Sequence, residues 1–195
     1  MSSIKEIWQQ FSDEIGATYV KGGALKSDRI EVSFRNWQIV YDVFVLPAGS
    51  TMLIYTRVRA PFLAKSDFQF CISKKTFLNR IAKKFGKSTL ETGDSRIDDN
   101  FVIKSNSNEK VKRLLSDEKL TSLLLGKSDS HFEISHGYKS VGRQFPKGCD
   151  GLSLVLLYES KHKEMLMLFY NLFGEILTSL ANAGEIDNAP IDVKL

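Results

Sequence analysis

Residues 29–60 read RIEVSFRNWQIVYDVFVLPAGSTMLIYTRVRA, and their alternation constrains the fold more than any other stretch. In a strand, successive side chains point to opposite faces, so a hairpin is testable by asking whether its apolar residues meet. If Arg35 and Asn36 form a two-residue turn, Phe34 faces Trp37, Val32 faces Ile39 and Ile30 faces Tyr41. A symmetric loop around Ala48 and Gly49 sets Val43 against Ile54 and Tyr41 against Thr56. Both hairpins then collect their apolar residues on one side. A slip of one residue in either would destroy that agreement.

The other side carries Arg29, Glu31, Ser33, Gln38, Asp42, Arg57 and Arg59. In this register Arg29 lies across from Asp42, Glu31 shares a row with Arg57, and Arg59 sits opposite Gln38. Two readings follow. One is a solvated face of alternating charge, whose pairs contribute a few tenths of a kcal/mol each. The other is an anion site made by Arg57 and Arg59 with Arg29, because the guanidinium fork fits carboxylates and phosphates. The first is the expectation. Pro61 fits a strand end, where a missing N–H breaks no ladder.

Extending the pattern outward, the segments 17–22, 29–34, 37–46, 51–60 and 67–73 read as an antiparallel meander, with further strands at 101–103, 131–136 and 152–158. Ile4, Ile7, Trp8, Phe11 and Ile15 share one helical face, opened by a Ser3–Glu6 capping box and closed by Gly16. Helical spacing returns over 76–85, then in two short helices using Val111, Leu114, Leu115 and Leu120, Leu123, Leu124, with a cap at Ser116 between them. The last helix is expected from about Lys161 to Ala183, capped by Ser160. Its segment MLMLFYNLFGEILTSLANAG holds a single charge, Glu175, but Asn171 and Asn182 also interrupt it. The stripe Met165, Phe169, Leu172, Phe173, Ile176 and Leu180 suits a helix lying across a sheet better than one crossing a bilayer. The expected fold is α+β: an antiparallel sheet of seven or eight strands, with helices on one face and a long C-terminal helix. The expectation is one domain over 1–195; a subdivision would fall in the polar, turn-rich stretch 88–100.

With 195 residues, 43% hydrophobic and 26% charged, the chain can bury a substantial core and has the composition of a soluble protein. MSSIKEIWQQ lacks a secretory apolar stretch, so the expected location is cytoplasmic. The net charge of +4 is unevenly spread: residues 1–90 hold 14 Lys and Arg against 7 Asp and Glu, and residues 91–195 hold 13 against 16. The densest cluster is KKTFLNRIAKKFGK, in which Lys74, Lys75, Arg80, Lys83, Lys84 and Lys87 make a basic face. A solvated face is the expectation there, and an anionic surface or a protein is the alternative partner. Nucleic acid is disfavoured, because Phe77 and Phe85 belong to the apolar stripe and offer no stacking platform. The apolar final helix allows a homo-oligomer.

No motif completes a catalytic or cofactor site. Gly86-Lys87-Ser88 and Gly126-Lys127-Ser128 lack the second phosphate-loop glycine, each following a helix as its C-terminal cap. Ser153 falls inside a strand rather than at a hydrolase elbow. Asp94, Asp98 and Asp99 lack calcium-loop spacing. His131 and His136, five apart on a strand, point to opposite faces, and the three histidines, with His162, read as surface or loop residues. Cys71 and Cys149 suggest neither a disulfide framework nor a zinc site; Cys149, in the loop-like KGCDG, lacks an assignable histidine. No cofactor or metal is implied. The leading expectation is a non-enzymatic binding or interaction module. Alternatives are a small hydrophobic-ligand binder with a cavity beneath the final helix, and an enzyme using Cys149 or the histidines with Arg57 and Arg59.

Overall fold

The structure is a computed structural model that describes residues 3–23, 27–75, 89–126, 130–135, 139–140, 143–144, 149–157 and 160–191. The 76–85 helix, His136, and the basic side chains Arg80, Lys83, Lys84 and Lys87 therefore lie outside the described residues.

Helix α1 (Ile4–Glu14) opens with the expected capping box, Ser3 accepting from the Glu6 N–H and Glu6 from the Ser3 N–H. Strands β1 (Thr18–Val20), β2 (Arg29–Phe34), β3 (Trp37–Ala48) and β4 (Thr51–Leu63) follow as a meander. Next come β5 (Phe70–Lys74), the short helix α2 (Ser95–Asp98), β6 (Phe101–Ser105), α3 (Asn108–Leu115) and α4 (Glu118–Leu125). The chain continues through β7 (Ser130–Ser135), β8 (Lys139–Ser140), β9 (Arg143–Gln144), β10 (Cys149–Leu157) and α5 (Lys163–Asn182). Eight strands form one antiparallel sheet in the order β1-β2-β3-β4-β10-β7-β5-β6, and β8 pairs with β9 apart from it. The fold is α+β, as the alternation required.

The first hairpin has the expected register, Phe34↔Trp37, Val32↔Ile39 and Ile30↔Tyr41, with Arg35 at φ 53° in its turn. The second is shifted by two residues: Val43 pairs with Thr56 and Tyr41 with Val58. The chain turns at Gly49 and Ser50 between the paired Ala48 and Thr51, Gly49 taking the left-handed φ of 65°. Because the shift is even, each side chain keeps its expected face while its partner changes. Arg57 thus lies opposite Asp42, not in the row of Glu31, and Arg59 opposite Val40, not Gln38.

One face of the sheet is the core. Ile30, Ile39, Tyr41, Val58, Ala60, Phe62, Phe70, Ile72, Leu152 and Leu154 are buried there with Leu166, Phe169, Leu172, Phe173, Ile176 and Leu177 of α5. The interface is tied by a few long-range polar contacts. The Tyr41 hydroxyl donates to the Leu166 carbonyl at 3.3 Å, and the indole N–H groups of Trp8 and Trp37 donate to the carbonyls of Ser160 and Asp187, both at 3.1 Å. These contacts explain where α5 starts. Ser160 is engaged, its N–H donating to the Thr56 hydroxyl at 2.7 Å, so the cap falls two residues later, at His162. Similarly, Ser116 closes α3 while the Asp117 carboxylate caps α4, accepting from the N–H groups of Lys119 and Leu120. The stretch 89–100 packs back on β6 through the Leu90–Ile103 bridge and the buried Ile97 of α2.

Gly174 marks a close approach of α5 to the sheet. A Cβ there would stand 2.5 Å from the ring of Phe34, which already packs edge-on against Tyr170. Alanine favours a helix interior over glycine by about 1 kcal/mol, whereas overpacking costs about 1–3 kcal/mol. Gly174→Ala is therefore expected to lower stability in urea unfolding by about 1 kcal/mol, and to raise it in a Phe34→Ala background. The same sign in both backgrounds would refute the contact.

Candidate functional site

The second face of the sheet carries the polar residues that the alternation assigns to it, but it is not uniformly solvated. Arg59 retains 5% side-chain exposure and Arg57 16%, and Ser73, Lys104, Ser153 and Cys71 are buried. Burial of this kind requires charge partners. Asp42 supplies one to both arginines: Arg57 donates through Nε at 2.8 Å and Nη2 at 2.6 Å, and Arg59 through Nη2 at 2.5 Å. The Arg57 guanidinium also lies 4.9 Å from the centre of the Phe44 ring, which stacks on Tyr55. Arg29, opposite Asp42 in register, instead bonds Glu31 two residues along its own strand, at 2.5 Å, and is half-buried. The arginine cluster thus has an internal carboxylate at its centre, and Arg29 stands outside it. Lys74 ends β5 and Lys75 is exposed just beyond it.

Two strands away lies a second polar group. Cys71 and Ser73 of β5 are paired in register with Glu133 and His131 of β7, so all four side chains share this face. Cys71 Sγ is 3.6 Å from His131 Nδ1, the Ser73 hydroxyl is in short contact with the same nitrogen, and Glu133 Oε2 is 3.5 Å from His131 Nε2. Burial by itself would drive the proton from His131. The hydrogen bonds to Cys71 and Glu133 and the charges of those groups outweigh it, pushing the imidazole up to about 9. His131 is therefore no surface or loop histidine. Cys149, read as loop-borne, is buried as the first residue of β10, and burial pushes its thiol up to about 11, with Asp150 adding to the rise. His162 is the N-cap of α5. The thiol beside a histidine is Cys71, which sequence reasoning passed over because its partner lies 60 residues away. The only local signal was that C-x-S and H-x-E each place two polar groups on one strand face.

The third feature is an arm. Strand β2 pairs with β3 only as far as Asp42, and β10 pairs with β4 only as far as Tyr55. Beyond both points β3 and β4 continue as a two-stranded ribbon for four residues on each strand, Val45 to Ala48 against Thr51 to Ile54, about 13 Å. From Val43 to Thr56 the chain has no charged residue. Val45, Met52 and Ile54 are exposed on one face at 43%, 63% and 43%, and Phe44 and Leu53 are partly exposed on the other. At its base, Val43 lines a pocket of about 330 Å³ with Ile4, Lys5, Trp8, Ser27 and Asp28. A second pocket, about 230 Å³, lies at the end of α5 and includes Lys110, Arg113, Asp117 and Glu185. Between sheet and α5, by contrast, side chains interdigitate: Phe132 and Phe173 meet at 6.3 Å between ring centres, and Gly174 touches Phe34. Among the described residues no group of His, Cys, Asp and Glu has metal-binding geometry. No helix among them is long and apolar enough to cross a membrane.

The described architecture is thus an eight-stranded antiparallel sheet, one face sealed by helices, the other carrying two polar clusters, with an apolar ribbon projecting from it. No protein-family model and no curated protein matches the chain. Among solved structures it is similar to the mycobacterial trehalose monomycolate transport factor A, TtfA, with a TM-score of 0.55 over 100% of both chains and 6% sequence identity. At that identity the likeness establishes the fold alone.

Two outcomes test the electrostatics. Asp42→Asn removes a carboxylate from buried guanidinium groups and is expected to cost about 3 kcal/mol in chemical unfolding, whereas Glu31→Gln, at a half-exposed pair, should cost under about 1 kcal/mol. For His131 the folded-state value lies above the ordinary 6.5. Its charge therefore stabilises the fold fully below pH 6.5, and that contribution fades as pH rises through about 9, a loss on the order of 3 kcal/mol. The urea midpoint should fall across this window in the wild type and stay level in His131→Gln.

Proposed function

We propose that the chain is a non-enzymatic binding module that docks peripherally on a lipid surface by seating the β3–β4 arm in it. The observation that carries this reading is the uncharged run from Val43 to Thr56, whose tip, Val45 to Ile54, extends past the neighbouring strands with Val45, Met52 and Ile54 exposed. Large exposed apolar patches mark interaction sites. A groove on a protein covers one face of a ribbon, but this ribbon is apolar on both, which suits a medium that surrounds it. Its length of about 13 Å exceeds the 5–10 Å depth over which interfacial elements bury their apolar side.

Charge complementarity supports an anionic surface. The arm belongs to the basic part of the sequence, residues 1–90, and Lys5 stands at its base. The run containing Lys74, Lys75, Arg80, Lys83, Lys84 and Lys87 adds charge of the same sign. In this reading the chain is cytoplasmic. The TtfA name, a transport factor, accords with a binding role.

Flotation with phosphatidylcholine vesicles, with and without phosphatidylglycerol, tests the proposal. The wild-type chain should float with the mixed vesicles, and the double variant Met52→Asp, Ile54→Asp should bind at least about 10-fold more weakly. Its melting temperature should remain within a few degrees of wild type, because both positions are exposed. A wild-type chain that stays with the soluble fraction would sink the reading. So would sedimentation showing a dimer that the same substitutions dissociate, which would make the arm a contact between chains.

A further inference from the structure

Cys71, Ser73, His131 and Glu133 stand outside the docking role, and their order in space is chemically specific. The thiol meets Nδ1 of the imidazole at 3.6 Å and the carboxylate meets Nε2 at 3.5 Å. A doubly protonated imidazole donates from both nitrogens, so this arrangement has acceptors on each side: the Cys71 sulfur and the nearer Ser73 hydroxyl at Nδ1, Glu133 at Nε2. The backbone holds them in place, because Cys71 pairs in register with Lys104 of β6 on one side and Glu133 of β7 on the other.

We propose that Cys71 is a nucleophilic thiol with His131 as its proton acceptor and Glu133 positioning the imidazole, and that it reacts stoichiometrically with a small hydroperoxide. The thiolate is the reactive form of cysteine, and an adjacent histidine is a common way to generate it. Two features select the electrophile. Acyl transfer needs free N–H donors for a developing oxyanion, but β5 is laddered on both sides at Cys71. Attack on a peroxide oxygen needs no such hole. Size is the second feature: Cys71 is 1% exposed and the His131 and Glu133 side chains 17% and 20%, so approach is from the imidazole side and suits a small solute.

In the reaction, the Cys71 thiolate attacks one oxygen of hydrogen peroxide. The S–O bond forms as the O–O bond breaks, sulfur being oxidised by two electrons and the peroxide reduced. The departing hydroxide takes the proton from His131 and leaves as water, giving a sulfenic acid and a neutral imidazole. Cys149 lies two strands over and several residues along, on the order of 15 Å away, too far to form a disulfide. The sulfenic acid is therefore the product.

Cys149 is also an internal control, being as buried as Cys71 and in contact with no histidine among the described residues. The reduced full chain is treated with hydrogen peroxide at pH 7 and trapped with dimedone, and each cysteine is quantified by mass spectrometry. Thiolate absorbance near 240 nm is read beforehand. Cys71 should be labelled at least 10-fold faster than Cys149, and Cys71→Ser should remove the thiolate absorbance. His131→Gln should slow labelling of Cys71 at least 10-fold and leave Cys149 unchanged. Glu133→Gln, which keeps the side-chain shape should His131→Gln fail to fold, should slow it several-fold and weaken the absorbance. Equal labelling of the two cysteines, or a Cys71 rate and absorbance that neither variant changes, would overturn the assignment.

Discussion

The period-two geometry of the sheet governs everything else in this molecule. Once eight strands are paired, every side chain on them belongs to one of two faces, and a helix layer can seal only one at a time. α5 seals the apolar face through a stripe of fully buried leucine, phenylalanine and isoleucine residues. The opposite face then inherits most of the charge the strands carry, and much of that charge is withdrawn from water. The clamp of Asp42 by Arg57 and Arg59 is a consequence of this: buried guanidinium groups require carboxylates, and the register sets one directly opposite Arg57.

The same constraint separates the two chemically interesting regions. The apolar arm exists because β3 and β4 outrun their neighbours β2 and β10, so the ribbon continues where the sheet has stopped. The thiol–imidazole–carboxylate row exists because β5 and β7 are adjacent in the sheet and in register. One region projects from the sheet and the other lies within its ladder. They share a scaffold and no side chain, so docking and thiol chemistry stand or fall separately.

Cysteine reactivity in this fold is a matter of neighbours more than of exposure. Cys71 and Cys149 are both 1% exposed and lie on the same sheet face. At Cys149 burial and Asp150 both oppose ionisation. At Cys71 an imidazole is in contact, and its proton is itself held by Glu133.

Much of this was legible in the residues. The alternation of Ile30, Val32 and Phe34 against Trp37, Ile39 and Tyr41 set the first hairpin's register, since this pairing gathers all six on the core side. It also set the facing of the second hairpin, where only the partner identities were displaced by the tight turn at Gly49 and Ser50. The capping box of α1 and the apolar stripe of α5 were equally readable, being local in sequence. What the residues could not reveal is strand order. That β10 inserts beside β4, and that β7 then meets β5, depends on segments tens of residues apart competing for the same edges. Alternation decides which face a side chain takes but not which strand lies beside it. For that reason Arg57 and Arg59 are conspicuous in the sequence itself, whereas Cys71 and His131 acquire meaning only once folding makes them neighbours.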